Sequence, residues 1–78
     1  MTRETLRLIR LASLLDTGAA RSIRLARGLT LDDLAAEVGV TPAALSRWEQ
    51  GLRRPRRASA LRYLDALEQL MQLAGRAS

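Results

Sequence analysis

TLDDLAAEVGVTPAALSRWEQG, running from Thr30 to Gly51, is the stretch that decides how this chain folds. It reads as two short helices separated by a tight turn. Thr30 can start the first, with its hydroxyl placed to accept the Asp33 amide and with Asp32 and Asp33 at the positive helix end. Leu34, Ala35 and Val38 then recur on one face. Gly39 follows directly and suits a turn whose positive φ would strain any residue bearing a Cβ. Thr41 supplies a second capping hydroxyl, and Pro42 takes the first helical position, where its missing N–H costs nothing. Leu45, Trp48 and, past the end, Leu52 are expected to face inward, and Gly51 to stop the helix.

The flanks carry the same helical spacing. Thr2 can cap a helix reaching about Asp16, with Leu8, Leu11, Ala12 and Leu15 on one stripe and Arg3, Arg7 and Arg10 on another, until Thr17-Gly18 breaks it. A second helix, about Ala19 to Arg27, sets Ala20, Ile23 and Arg27 along one face and ends at Gly28. Beyond Gly51, Arg53-Arg54-Pro55-Arg56-Arg57 cannot be core. From about Ala58 to Ala74, the spacing of Leu61, Leu64, Leu67, Leu70/Met71 and Ala74 describes one amphipathic helix, with fraying expected over Gly75 to Ser78. β-Branched and aromatic residues are too few and scattered for strands. The expected fold is all-α: a compact five-helix bundle forming a single domain over 1–78, with an added N-terminal helix in 1–17, the helix pair in 30–51 and a last helix in 58–74.

Composition narrows the function. A chain of 78 residues has room for one small domain, and a domain of that size buries only roughly 60% of its unfolded surface, so no large catalytic cleft is expected. All 13 cationic side chains are arginine; against eight acids they leave a net charge of +5, which predicts a polyanionic partner. Without Cys or His the chain has no disulfide, no thiolate, no cysteine or histidine zinc site and no histidine acid–base catalyst. The acids and the Ser and Thr residues sit mainly at caps or helix surfaces with no convergent pair. The expectation is therefore no enzyme, no metal or other cofactor, and no small-molecule substrate. Glu4 and three arginines interrupt the apolar run at the start, and no uninterrupted apolar stretch is long enough to span a bilayer. The Arg3/Arg7/Arg10 face also lacks an aromatic anchor for a membrane surface. A cytoplasmic protein without a membrane partner is the simplest reading.

The segment Ala20 to Leu67, over half of the chain, resembles the phage Cro/repressor family of helix-turn-helix regulators, also called the xenobiotic-response-element type. The carriers are Ile23-Arg24 before Gly28-Leu29-Thr30, Leu34-Ala35, Gly39-Val40, and Leu45-Ser46-Arg47-Trp48-Glu49-Gln50-Gly51, with Pro55 and the Leu61/Leu64/Ala66/Leu67 spacing after them. The resemblance implies a lambda-repressor-like domain that binds double-stranded DNA and regulates transcription. It also implies an ion pair between Arg24 and Glu49.

In such a domain the second helix of the pair would enter the major groove, making Thr41, Pro42, Ala43, Ser46, Arg47 and Gln50 the candidates at base edges. Pro42 and Ala43 depart from the long polar side chains common there and can offer only apolar contact, such as packing on a thymine methyl. Arg47 is the strongest candidate, because a guanidinium can bond guanine O6 and N7 together; its plainer role is a phosphate contact or a surface ion pair. Ser46 stays open between base, phosphate and solvent. Phosphate contacts are expected from Thr41, from amides at the helix starts, and from Arg53, Arg54, Arg56 and Arg57. Leu31 is a second departure, standing where the family often has a glutamine on a phosphate.

Family members usually bind half-sites about one helical turn apart as symmetric dimers. Two homodimer surfaces are open, the Leu67/Leu70/Met71/Ala74 end of the last helix and the N-terminal helix, whose Leu8, Leu11 and Leu15 can instead pack within one chain. A Cro-like repressor occupying an operator is the leading function. An antitoxin that autoregulates its promoter and holds a toxin protein is the alternative, and a pure protein-interaction module is a third.

Overall fold

The computed structural model describes residues 1–76, the last three by backbone alone. Capping fixes where most of the helices start. The Thr2 hydroxyl accepts the Thr5 amide at 3.1 Å and opens α1 (Arg3–Asp16). Gly18, at φ 79°, turns the chain into α2 (Ala19–Ala26). Thr30 opens α3 (Leu31–Val38) with a reciprocal cap: its hydroxyl accepts the Asp33 amide, and the Asp33 carboxylate accepts the Thr30 amide, each at 3.0 Å. That second bond holds the Asp33 carboxyl below its ordinary range. Thr41 and Pro42 open α4 (Pro42–Glu49), the Thr41 hydroxyl accepting the Ala44 amide at 3.1 Å.

The last helix, α5 (Arg57–Arg76), is longer than the sequence spacing implied. It starts one residue before Ala58 and passes Ala74, so Gly75 and Arg76 are helical rather than frayed; the fraying expected of Ala77 and Ser78 lies outside the described residues. One glycine inside a helix weakens it by only about 1 kcal/mol and removes no hydrogen bond. α5 is the floor of the fold, packed against α1, α2 and α3, while α3 packs on α4 and α1 on α2. All five elements are α-helices, and among the described residues none is long and apolar enough to cross a membrane.

The core joins Leu34, Ala35 and Val38 of α3, Leu45 and Trp48 of α4, Leu11 of α1, Ala20 of α2, and Ala60, Tyr63, Leu64 and Leu67 of α5. Three expectations are corrected by it. On α5 the inward row is centred on Ala60, Tyr63, Leu64 and Leu67, and Leu61 is only half-buried. Tyr63 enters because its ring meets Trp48, with centroids 5.5 Å apart. On α2, Arg24 rather than Arg27 takes the inner position. Leu52 turns outward and is 69% exposed. Gly51, at φ 75°, reverses the chain while the Leu52 amide bonds the Arg47 carbonyl at 2.9 Å, so the backbone closes the helix and the side chain is thrown to solvent.

The N-terminal helix lies on its own fold. Leu11 is buried, and Leu8, Leu14 and Leu15 pack against the core. Arg7 bonds both Glu68, at 2.8 Å, and Asp65 of α5; Arg10 reaches Glu68 at 3.7 Å, and Arg57 reaches Glu4 at 3.3 Å. Leu67 is fully buried, so it is withdrawn from the dimer surface considered for the last helix; the Ala74 side chain there lies outside the described residues.

Arg24 and Glu49 are both nearly inaccessible, and the contact is two-pronged: Arg24 Nε donates to Glu49 Oε2 at 2.7 Å and Nη2 to Oε1 at 2.9 Å. The remaining Nη1 donates to the Leu29 carbonyl at 2.8 Å. The bond to Glu49 holds the guanidinium above its ordinary pKa against the opposing effect of burial. Removing one buried partner strands the other charge, so Arg24→Ala is expected to lower unfolding free energy by about 3–5 kcal/mol. The apolar double variant Arg24→Met/Glu49→Leu is expected to recover most of that loss in urea titrations.

Tyr63 has no exposed surface, and its hydroxyl has no hydrogen-bond partner among the described residues. Burial pushes the phenol well above its ordinary pKa. Tyr63→Phe removes an unsatisfied group without changing the ring, and is expected to raise stability by about 1 kcal/mol, read as a higher urea midpoint at constant slope.

Candidate nucleic-acid interface

α3 and α4 are joined by the turn Gly39-Val40-Thr41. The Gly39 and Val40 amides both return to the Ala35 carbonyl, at 2.8 and 3.0 Å. This closure needs Gly39 at φ 81°. A Cβ there would meet only Arg62 Nε, at 3.9 Å, so glycine is required by backbone conformation rather than by space.

Burying Leu45 and Trp48 turns the opposite face of α4 outward. Pro42, Ala43 and Arg47 are exposed on it, with Thr41 exposed at its start, Gln50 at its end and Ser46 half-buried between them. The Gln50 amide donates to Ser46 Oγ at 2.8 Å, so these two candidates are held as a unit. Gln50 keeps its carbonyl oxygen and a second N–H for another partner.

The two helix starts are not equivalent toward an anion. α3 carries Asp32 and Asp33 in its first turn, and Asp33 already occupies the Thr30 amide. α4 has no acid in its first turn. Of the amide sites expected at both starts, only the α4 end is free of a competing carboxylate.

The arginines on α4 and after it divide into two groups. Arg57 stands in the first turn of α5 and is paired with Glu4, an acidic neighbour supplied by α1 and invisible in the local sequence. Arg47, Arg53, Arg54 and Arg56 line one hollow with Ala44 and Ser59, and none of the four enters an ion pair among the described residues. Cations left together without carboxylates create a field that attracts a polyanion.

Two residues near this face escaped the sequence reading. Arg62 of α5 donates from Nε to the Val38 carbonyl at 2.9 Å, capping an α3 that has no basic residue in its own last turn. Arg21 of α2 shares a polar hollow with Ser46, Glu49, Gln50 and Leu31. Neither has a local sequence signal, because both act across elements far apart along the chain.

A family description, helix-turn-helix, matches residues 21–69. The chain belongs to the Cro/C1-type helix-turn-helix family. No curated protein and no solved structure matches it. The helix-turn-helix match makes the chain a DNA-binding regulator of the Cro/C1 type, a regulatory and not an enzymatic family. The α3–α4 pair and most of α2 and α5 lie inside the matched stretch, and α1 lies outside it.

Arg62→Ala frees the Val38 carbonyl and removes a positive charge from the α3 end. It is expected to lower stability by about 1 kcal/mol and to speed amide hydrogen exchange at Gly39 and Val40. Arg62→Lys, which keeps the charge, is expected to recover part of the loss.

Proposed function

We propose that this helix-turn-helix protein is a sequence-specific repressor that occupies an operator, with α4 in the major groove. The observation that carries the reading is the group of Arg47, Arg53, Arg54 and Arg56, without a carboxylate partner among the described residues, beside the exposed face of α4. Arg47 stands on the outward face of α4 and is the principal base contact, suited to guanine. Ser46 and Gln50, tied to each other, are secondary contacts, and Pro42 and Ala43 shape the entry of the helix. Thr41 at the open α4 start and Arg53, Arg54 and Arg56 in the following loop hold phosphates. Arg57 joins them only by giving up its bond to Glu4.

A module this small contacts few base pairs, so the protein works as a homodimer on paired half-sites. The exposed Leu73, beside Leu70 and Met71 on α5, offers the pairing surface. An antitoxin would use the same DNA face. α1, outside the matched stretch, supplies the second surface that such a protein needs.

Random-site selection followed by titration over a range of salt tests this reading. The wild type is expected to select one half-site motif and to lose affinity steeply as salt rises. Arg47→Ala is expected to cost about 1–3 kcal/mol on the selected site and to relax preference at one base pair. Arg53→Ala is expected to weaken all duplexes alike and to lower the salt slope by about 1. Equal binding to every duplex by the wild type, or an Arg47→Ala variant with unchanged preference, overturns the assignment.

A further inference from the structure

A further hollow, of about 240 Å³, opens where α1 crosses the segment leading into α5. Leu8, Leu11, Leu15 and Pro55 give it apolar walls, and Arg54 and Arg57 complete the lining, Arg57 bonded to Glu4 and Arg54 in no ion pair among the described residues. Most of the apolar lining comes from α1, which lies outside the stretch shared with the helix-turn-helix family. Arg54 and Pro55 also line the hollow that holds Arg47, Arg53 and Arg56. One short loop thus walls both sites.

The lining selects the occupant. Duplex DNA matches the arginines but has nothing to set against the apolar walls. The α1 helix of a second copy would bring the exposed Arg3 and Arg10 against Arg54, like charge against like. What fits both parts is one or two aliphatic side chains flanked by carboxylates, presented by a different protein. We propose that this groove docks an apolar segment of a partner protein flanked by Asp or Glu, and that partner and DNA oppose each other through Arg54. A carboxylate on Arg54 removes one free cation from the DNA face, and linkage makes the antagonism reciprocal. The docking stands on the groove alone; the antagonism rests on the DNA-binding reading above.

A random peptide library displayed on phage, panned against the full chain without DNA and counter-selected on Ala12→Arg, tests it. Ala12 lies on the groove wall and outside the proposed DNA face, so this variant is expected to keep its helical circular dichroism and its affinity for duplex DNA. The proposal expects enriched peptides that combine apolar residues with adjacent Asp or Glu and that bind Ala12→Arg about tenfold or more weakly. These peptides should lower affinity for the selected duplex by about fivefold or more, and the duplex should lower peptide affinity by the same factor. No enrichment, enrichment of basic or uncharged sequences, binding indifferent to Ala12→Arg, or an oligoglutamate that binds equally well overturns the docking site. Peptides that occupy the groove without changing DNA affinity overturn the antagonism. A wild type that binds no duplex takes the antagonism and the repressor reading down together, while the peptide measurement still decides the groove.

Discussion

The guanidinium of Arg24 is committed on three sides: two donors grip Glu49 at the end of α4, and a third holds the Leu29 carbonyl in the loop that feeds α3. It therefore locates the start of one helix of the motif and the end of the other from a single point on α2. A buried pair of this kind contributes little net stability, because desolvation offsets most of the attraction; its value lies in geometry. With that point held, Leu45 and Trp48 can only turn inward, and the side of α4 bearing Arg47 can only turn outward. The proposed interface is in this sense a by-product of how the interior is tied.

What was legible in the sequence was what a few neighbouring residues decide. Thr30, Thr41, Pro42, Gly39 and Gly51 place helix boundaries because capping and positive φ are settled within one turn of chain. Leu34, Ala35, Val38, Leu45 and Trp48 were legible as core because their spacing is helical. The features that escaped depend on partners distant in sequence. Tyr63 belongs to the interior only because Trp48 faces it, and Leu52 leaves it because the reversal at Gly51 turns the side chain outward. At the candidate site the exposed α4 residues were readable. That Arg47, Arg53, Arg54 and Arg56 have no acidic partner among the described residues, while Arg57 has Glu4, required the chain to be folded.

The arrangement of charge follows from the same distinction. Most of the carboxylates on α1 and α5 are spent on arginines of those helices, through Glu4, Asp65 and Glu68. Beside α4, by contrast, Arg47, Arg53, Arg54 and Arg56 keep their charge uncompensated among the described residues. Such asymmetry orients an approaching polyanion before any contact forms, and its reach shortens as salt shortens the Debye length.

The ion pairs of Arg7 with Asp65 and Glu68 span 58 and 61 residues, so they close nearly the whole chain into a loop. Contacts of such long range come late in folding, after local helix pairs have formed. Only one residue of α1, Leu11, is fully inside the core, and its ion pairs are partly exposed. α1 rests on α5 and α2 and not on the α3–α4 turn, so it is held to the fold from the side away from the motif. The helix-turn-helix carries a latch whose release would leave the motif itself intact.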